Sequence, residues 1–331
     1  MNVIQRPRAR EFCATMQDYI IDTDVTIAFA VKYGGKKILD EEYVPDADNL
    51  VRIRGLGKFC ELALWGVWCL DYAPQSTASG TFTFLINETE DAQSYVMFSR
   101  MQTRKDAASP GILSEVAAKV TRMGAKEYVS GYPQNGGYDI TAFFNDGSQE
   151  SKSFPVSSLE PFTVDVSPDT VLPGFSKSDI ASYTVAMLGG SMQFYVDGTR
   201  YVDVWCFRFK NVYDMPETLT ATGELKLTGN NESDAAAMYG VQRKFGVKVT
   251  DEYTVNSGSI MLQSDYKLWH NMLNAQEVEI LVDGEWLPIV ITKQKFERSF
   301  RRSVLKAVEF SFTMANPEQN NLIGYDKYTE I

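Results

Sequence analysis

DVTIAFAVKYGGKKILDEEYV, residues Asp24–Val44, decides the fold class of this chain. Val25, Ile27 and Phe29 alternate with smaller or polar neighbours, the period-two pattern of a half-buried strand. Gly34-Gly35 then offers a tight reversal, because glycine reaches positive φ without a Cβ clash, and Ile38 starts the return strand. The stretch predicts a β-hairpin. Upstream, a strand is expected around Phe12–Ile21. Downstream, PDADN (Pro45–Asn49) predicts a turn, and LVRIRGL a strand with Val51 and Ile53 on one face. Leu56, Phe59, Cys60, Ala63, Val67 and Leu70 follow helical spacing and predict a helix. TFTFLI and SYVMFSR add strands that close this unit near residue 100.

The same pattern continues beyond a polar break at Gln102–Gly111 (QTRKDAASPG), where a boundary is expected. ILSEVAAKVTRM (112–123) predicts a short helix. YDITAFFNDGSQESKSFPV predicts two strands around a type I′ turn at Asn145-Asp146-Gly147. Ser167-Pro168-Asp169 reads as an N-cap with proline at the first helical position. ASYTVAML, SMQFYVDG and TRYVDVWCFRFKNVY predict strands, with a turn at Asp197-Gly198. ETLTATGELKLTG predicts one strand, interrupted by the polar GNNESDAAAMYG, and KFGVKVTDEYTV predicts the next. Ser264 opens a one-sided helix, SDYKLWHNMLNA. VEILVDGEWLPIVIT predicts a hairpin and LKAVEFSFTMANPEQ a final strand. The expected fold is all-β and mainly antiparallel, with two or three β-sandwich-like domains and a few short helices. The expected domains are 1–101, 102–212 and 213–331.

Composition narrows the function classes. The 331 residues carry a net charge of −11, which disfavours nucleic-acid or anionic-membrane binding, since both need clustered cations. Arg6, Arg8 and Arg10 are the local exception, read either as a solvated terminus or as an arm docking on an acidic neighbour. No apolar leader is visible, and the longest apolar run, LALWGVWCL, is too short to span a bilayer. Cys13, Cys60, Cys69 and Cys206 follow no metal or redox spacing, so free thiols in a reducing cytoplasm are expected.

His270 is the only histidine, so triad or histidine-metal chemistry would have to pass through it. No partner motif accompanies it, and a histidine on a structural helix is expected. Asp46 and Asp48 resemble the start of a calcium loop, but Leu50, Val51 and Gly57 stand where its remaining ligands and glycine belong. Gly55-Leu56-Gly57 lacks the third glycine of a dinucleotide loop. No catalytic, cofactor-binding or metal-ligating residue is therefore expected. Trp65, Trp68, Trp205 and Trp269 sit in runs that read as core. Trp286, just after the Asp283-Gly284 turn, is the candidate for a glycan or partner contact.

Three stretches carry a family resemblance: DVTIAFAVKYGGKKILDEEYVPDADNLVRIRGLG; FRFKNVYDMPETLTATGELKLT; and SDYKLWHNMLNAQEVEILVDGEWLPIVITKQKFERS with VEFSFTMANPEQN. Together they span nearly the whole chain, and in packing and turn pattern it resembles structural tail proteins of tailed bacteriophages and prophages of gut anaerobes. The resemblance implies a non-enzymatic virion part, made in the host bacterial cytoplasm and built into the tail tip, baseplate or tail hub. Its implied partners are other copies of itself, in a ring closed by edge strands and loops, and neighbouring tail proteins. It implies no sequence-specific nucleic-acid binding and no membrane insertion. An acidic ring suits a channel that DNA passes without sticking. A carbohydrate- or receptor-binding module is the alternative, and a glycosidase using paired carboxylates the third.

Overall fold

The computed structural model describes residues 1–64, 79–99, 111–297 and 307–316. It is all-β, with several mostly antiparallel sheets and three short helices. The first unit holds β1 (Asn2–Gln5), β2 (Arg10–Phe12), β3 (Tyr19–Asp22), β4 (Ile27–Tyr33), β5 (Lys36–Tyr43), β6 (Leu50–Ile53), α1 (Leu56–Leu64), β7 (Ser79–Ile86) and β8 (Thr89–Met97). β4 and β5 form the expected hairpin. Gly34 and Gly35 take φ of 56° and 79°, the conformation of a type I′ turn. The single strand expected at Phe12–Ile21 is instead split by a 3₁₀ turn at Cys13–Thr15.

A three-stranded sheet, β1-β3-β6, faces a five-stranded sheet, β2-β8-β7-β4-β5. Tyr19 and Ile21 from the first meet Phe29 and Phe84 from the second in one fully buried cluster. Each such side chain contributes about 1.5–3 kcal/mol by leaving water. α1 closes one end through Leu56, Cys60 and Leu64. Gly57 is required there, because a Cβ at that position would lie 1.9 Å from the Cys13 carbonyl oxygen. The helical positions Val67 and Leu70, Trp65, Trp68 and Cys69, and most of the expected break at 102–111 lie outside the described residues.

The middle of the chain forms β9 (Ala118–Arg122), β10 (Tyr128–Gly131), β11 (Asn135–Phe144), β12 (Gln149–Ser157), β13 (Phe162–Asp165), α2 (Pro168–Val171), β14 (Ile180–Met187) and β15 (Gly190–Asp197). The helix expected over 112–123 is not there: its second half is strand β9, paired in parallel with β15. Lys119 and Thr121 point inward from it, and Lys119 reaches Glu127 and the Thr218 carbonyl. The Asn145-Asp146-Gly147 reversal is real but of another type. Only Gly147 has positive φ, and Phe144 N–H donates to the Ser148 carbonyl, giving a three-residue loop rather than a two-residue I′ turn. Ser167 and Pro168 open α2 as expected, although the Ser167 hydroxyl accepts from Glu127 N–H and not from the helix. These strands build a five-stranded sheet, β12-β11-β14-β15-β9, and the pair β10-β13.

The remainder is β16 (Trp205–Lys210), β17 (Pro216–Ala221), β18 (Leu225–Met238), β19 (Val241–Asn256), α3 (Asp265–Leu273), β20 (Val278–Val282), β21 (Glu285–Lys295) and β22 (Glu309–Met314). They form one seven-stranded sheet, β17-β16-β20-β21-β22-β19-β18. The domain boundary expected at 212–213 falls between β16 and β17, which are hydrogen-bonded neighbours. One buried cluster joins Tyr183 and Phe194 of the middle sheet to Phe207, Trp269 and Phe312. ETLTATGELKLTG is two strands, not one, broken at Gly223, whose absent Cβ leaves room for the Asn256 carbonyl. The polar GNNESDAAAMYG is not an interruption: β18 runs through it to Met238 and turns at Tyr239-Gly240 into β19. A smaller cluster, with Phe12 and Met97 against Leu113, Tyr132, Tyr213 and Met215, fastens the first unit to the rest.

Candidate functional site

Two features stand out. The first is a buried charge cluster where β9 and the segment before β10 meet β17. Lys119 is 2% exposed; its Nζ donates to Glu127 Oε2 at 2.6 Å and to the Thr218 carbonyl at 2.6 Å, and lies 3.6 Å from Glu217 Oε1. Glu127 and the acceptors around Lys119 hold its ammonium charged against the cost of burial, and its pKa rises. Glu217, accepting from Asn211 Nδ2 at 3.2 Å, is pushed up chiefly by burial. Asp265, at the start of α3, is pushed up to about 7, first by burial and then by the Glu127 charge, against the pull of Lys119. Arg122 donates to the Thr220 carbonyl and lies over the Tyr201 ring. The cavity among these groups is about 20 Å³, room for one water and no substrate. Chemically the cluster stitches two sheets together through opposite charges.

The second feature is a ribbon. β18 and β19 pair from Leu225↔Val255 to Met238↔Val241, with a bulge between the Glu232↔Lys248 and Asp234↔Phe245 pairs, whereas β22 pairs only with Tyr253–Asn256. Among the described residues the ribbon has no third strand from Gly229 to Met238, and at about 3.3 Å per residue it reaches roughly 30 Å. Paired residues share a face, so Met238, Val241, Ala236, Phe245 and Arg243 line one side of the tip. Met238, Val241 and Phe245 are all more than half exposed, and Tyr239, in the turn, is 96% exposed.

The residues singled out from sequence do not converge. Arg6 lies 3.4 Å from Asp91, whose other oxygen accepts the Tyr19 hydroxyl proton. Arg8 N–H donates to Glu11, and the Arg10 guanidinium lies 5.1 Å over the Tyr132 ring. The segment that carries them runs through the paired strands β1 and β2. Trp286 is half-buried, with Arg208 stacked 4.6 Å over its ring and Tyr128 beside it at 6.2 Å. Arg208 also lines an adjacent open cleft of about 510 Å³, together with Lys210, Glu277 and Glu279. His270 is exposed on α3, 5.4 Å from Phe296. Trp205 and Trp269 are core, and Cys13, Cys60 and Cys206 are buried free thiols, with burial pushing Cys13 up to about 12. The Asp46 carboxylate accepts Asp48 and Leu50 N–H at 2.9 Å and pairs with Arg52, so it is a turn residue.

Sequence reasoning missed both standout features. The buried cluster draws on positions from 119 to 265 and has no local signature. The ribbon's signal was the apolar run Ala235–Tyr239 set just before a glycine. Among the described residues no helix is long and apolar enough to cross a membrane, and no group of three or more His, Cys, Asp or Glu is arranged to hold a metal ion. No protein-family model matches this chain, and no curated protein matches it.

Proposed function

We propose that this chain is a non-enzymatic structural subunit of a phage tail, assembled as an oligomeric ring at the tail tip, baseplate or hub and made in the host cytoplasm. The observation that carries the assembly role is the β18–β19 ribbon. A two-stranded ribbon exposed on both faces is marginal in water, and an apolar tip adds cost that a partner surface removes. The tail placement rests on the sequence resemblance. Buried edge strands and heterologous contacts that close by rotation are how such a subunit makes a ring. The test is the solution mass of the purified chain by light scattering across concentration, with negative-stain imaging of large species. Closed rings, formed alone or with a tail protein, support the proposal. A chain that stays monomeric in both settings refutes it.

A further inference from the structure

The ribbon tip and the β5 edge are opposite in charge and alike in having unpaired backbone. Ala235–Gly246 holds Arg243 and Lys244 and no acid, in a chain of net charge −11. Among the described residues, neither cation has an acidic side chain in ion-pair contact, and both are exposed. In the first unit, Asp40–Asp48 holds five acids, Asp40, Glu41, Glu42, Asp46 and Asp48, and no base. Asp40 is spent on Lys37 and Asp46 on Arg52, while among the described residues Glu42 and Asp48 have no ion-pair partner and Glu41 accepts the Tyr43 hydroxyl. β5 is the outermost strand of its sheet, so one side of its backbone is unpaired. Near its end, Val25, ahead of β4, and Val44, just past β5, are 57% and 75% exposed.

β5 opens on Lys36 and Lys37, so only its second half, Asp40–Glu42, is acidic, and it is that half that attracts a cationic strand. We propose that the ribbon tip of one copy docks along the acidic β5 edge of a second copy, placing Arg243 and Lys244 against Glu41 and Glu42 and extending that sheet across the interface. The contact is heterologous, because the two patches differ, so repetition gives a ring or a filament and not an isologous dimer. This rests on the assembly role above and names its surfaces.

The test uses the full chain in four samples: wild type, Arg243→Glu/Lys244→Glu, Glu41→Lys/Glu42→Lys, and an equimolar mixture of the two variants. All four substituted side chains are exposed, and circular dichroism melting of each variant checks that it folds. Sedimentation is expected to show each variant's self-association weakened about a hundredfold or more, the scale of two like-charge juxtapositions. The mixture regains assembly, since the acidic tip of one variant meets the basic edge of the other. A wild type that assembles while both variants assemble equally well overturns the docking contact and leaves the assembly role standing. Variants that fall apart and stay apart when mixed also overturn it. A wild type that is monomeric at every concentration overturns both.

Discussion

Asp265 makes the stability of this protein depend on pH in the direction opposite to most acidic groups. Its carboxyl is 8% exposed and pushed from an ordinary 3.8 to about 7, by burial first and the Glu127 charge next. Between those values the unfolded chain has released the proton while the folded chain still holds it. The contribution of Asp265 is therefore complete below pH 3.8 and falls as pH rises, at about 1.4 kcal/mol per unit, until the folded group ionises. Over the full window that is about 4 kcal/mol, and about 2–3 kcal/mol of it lies between pH 5 and 8. Glu217 is shifted the same way and adds to the slope. The carboxylates held low, Asp46, Glu150 and Glu252, are ionised in both states above pH 5, so their contributions stay constant across this range. Urea unfolding at fixed protein concentration, from pH 5 to 8, should show this decline. Asp265→Asn keeps the shape without the ionisation, so it should flatten the slope and be the more stable form at pH 8 by about 2–4 kcal/mol. A wild-type stability that is level or rising over that range, or a variant that falls in parallel with it, refutes the reasoning.

Two further outcomes follow from the same geometry. Lys119→Met leaves Glu127 and Glu217 buried without their cation and should cost about 3–5 kcal/mol in denaturant unfolding, far more than an exposed cation such as Lys226. Gly35→Val forces a β-branched residue into the left-handed region at φ 79° and should lower stability by about 1–2 kcal/mol in a thermal melt, although nothing lies within 4 Å of the added Cβ.

What was legible in the sequence was what alternates around a core. Ile27 and Phe29 alternate because one face of β4 is buried, whereas Val25, read with them, lies ahead of the strand and is 57% exposed; Gly34-Gly35 marks the reversal by its own backbone freedom. ILSEVAAKVTRM was misread as a helix, and only the distant Glu127 and Glu217 make the buried Lys119 acceptable in strand β9. The ribbon was misread for a different reason. A strand with no core face has nothing to impose alternation, so its residues look like a polar loop. Trp286 was rightly placed just after a turn, but the arginine that covers its ring comes from β16, far away in sequence. Arg6, Arg8 and Arg10 were visible as a cluster, while their partners Asp91 and Tyr132 could not be read from it.

The root of the ribbon has a mechanical consequence. β19 runs from the turn at Tyr239-Gly240 to Asn256, where it pairs with β22 one strand in from the edge of the seven-stranded sheet, with Tyr253 stacked 5.3 Å from Phe312. A load on the tip along the strand axis therefore meets hydrogen bonds that run perpendicular to it and must shear together, not open one at a time. Tension at the tip is thereby delivered into the buried cluster of Tyr253, Phe310 and Phe312, as in a beam built into a wall.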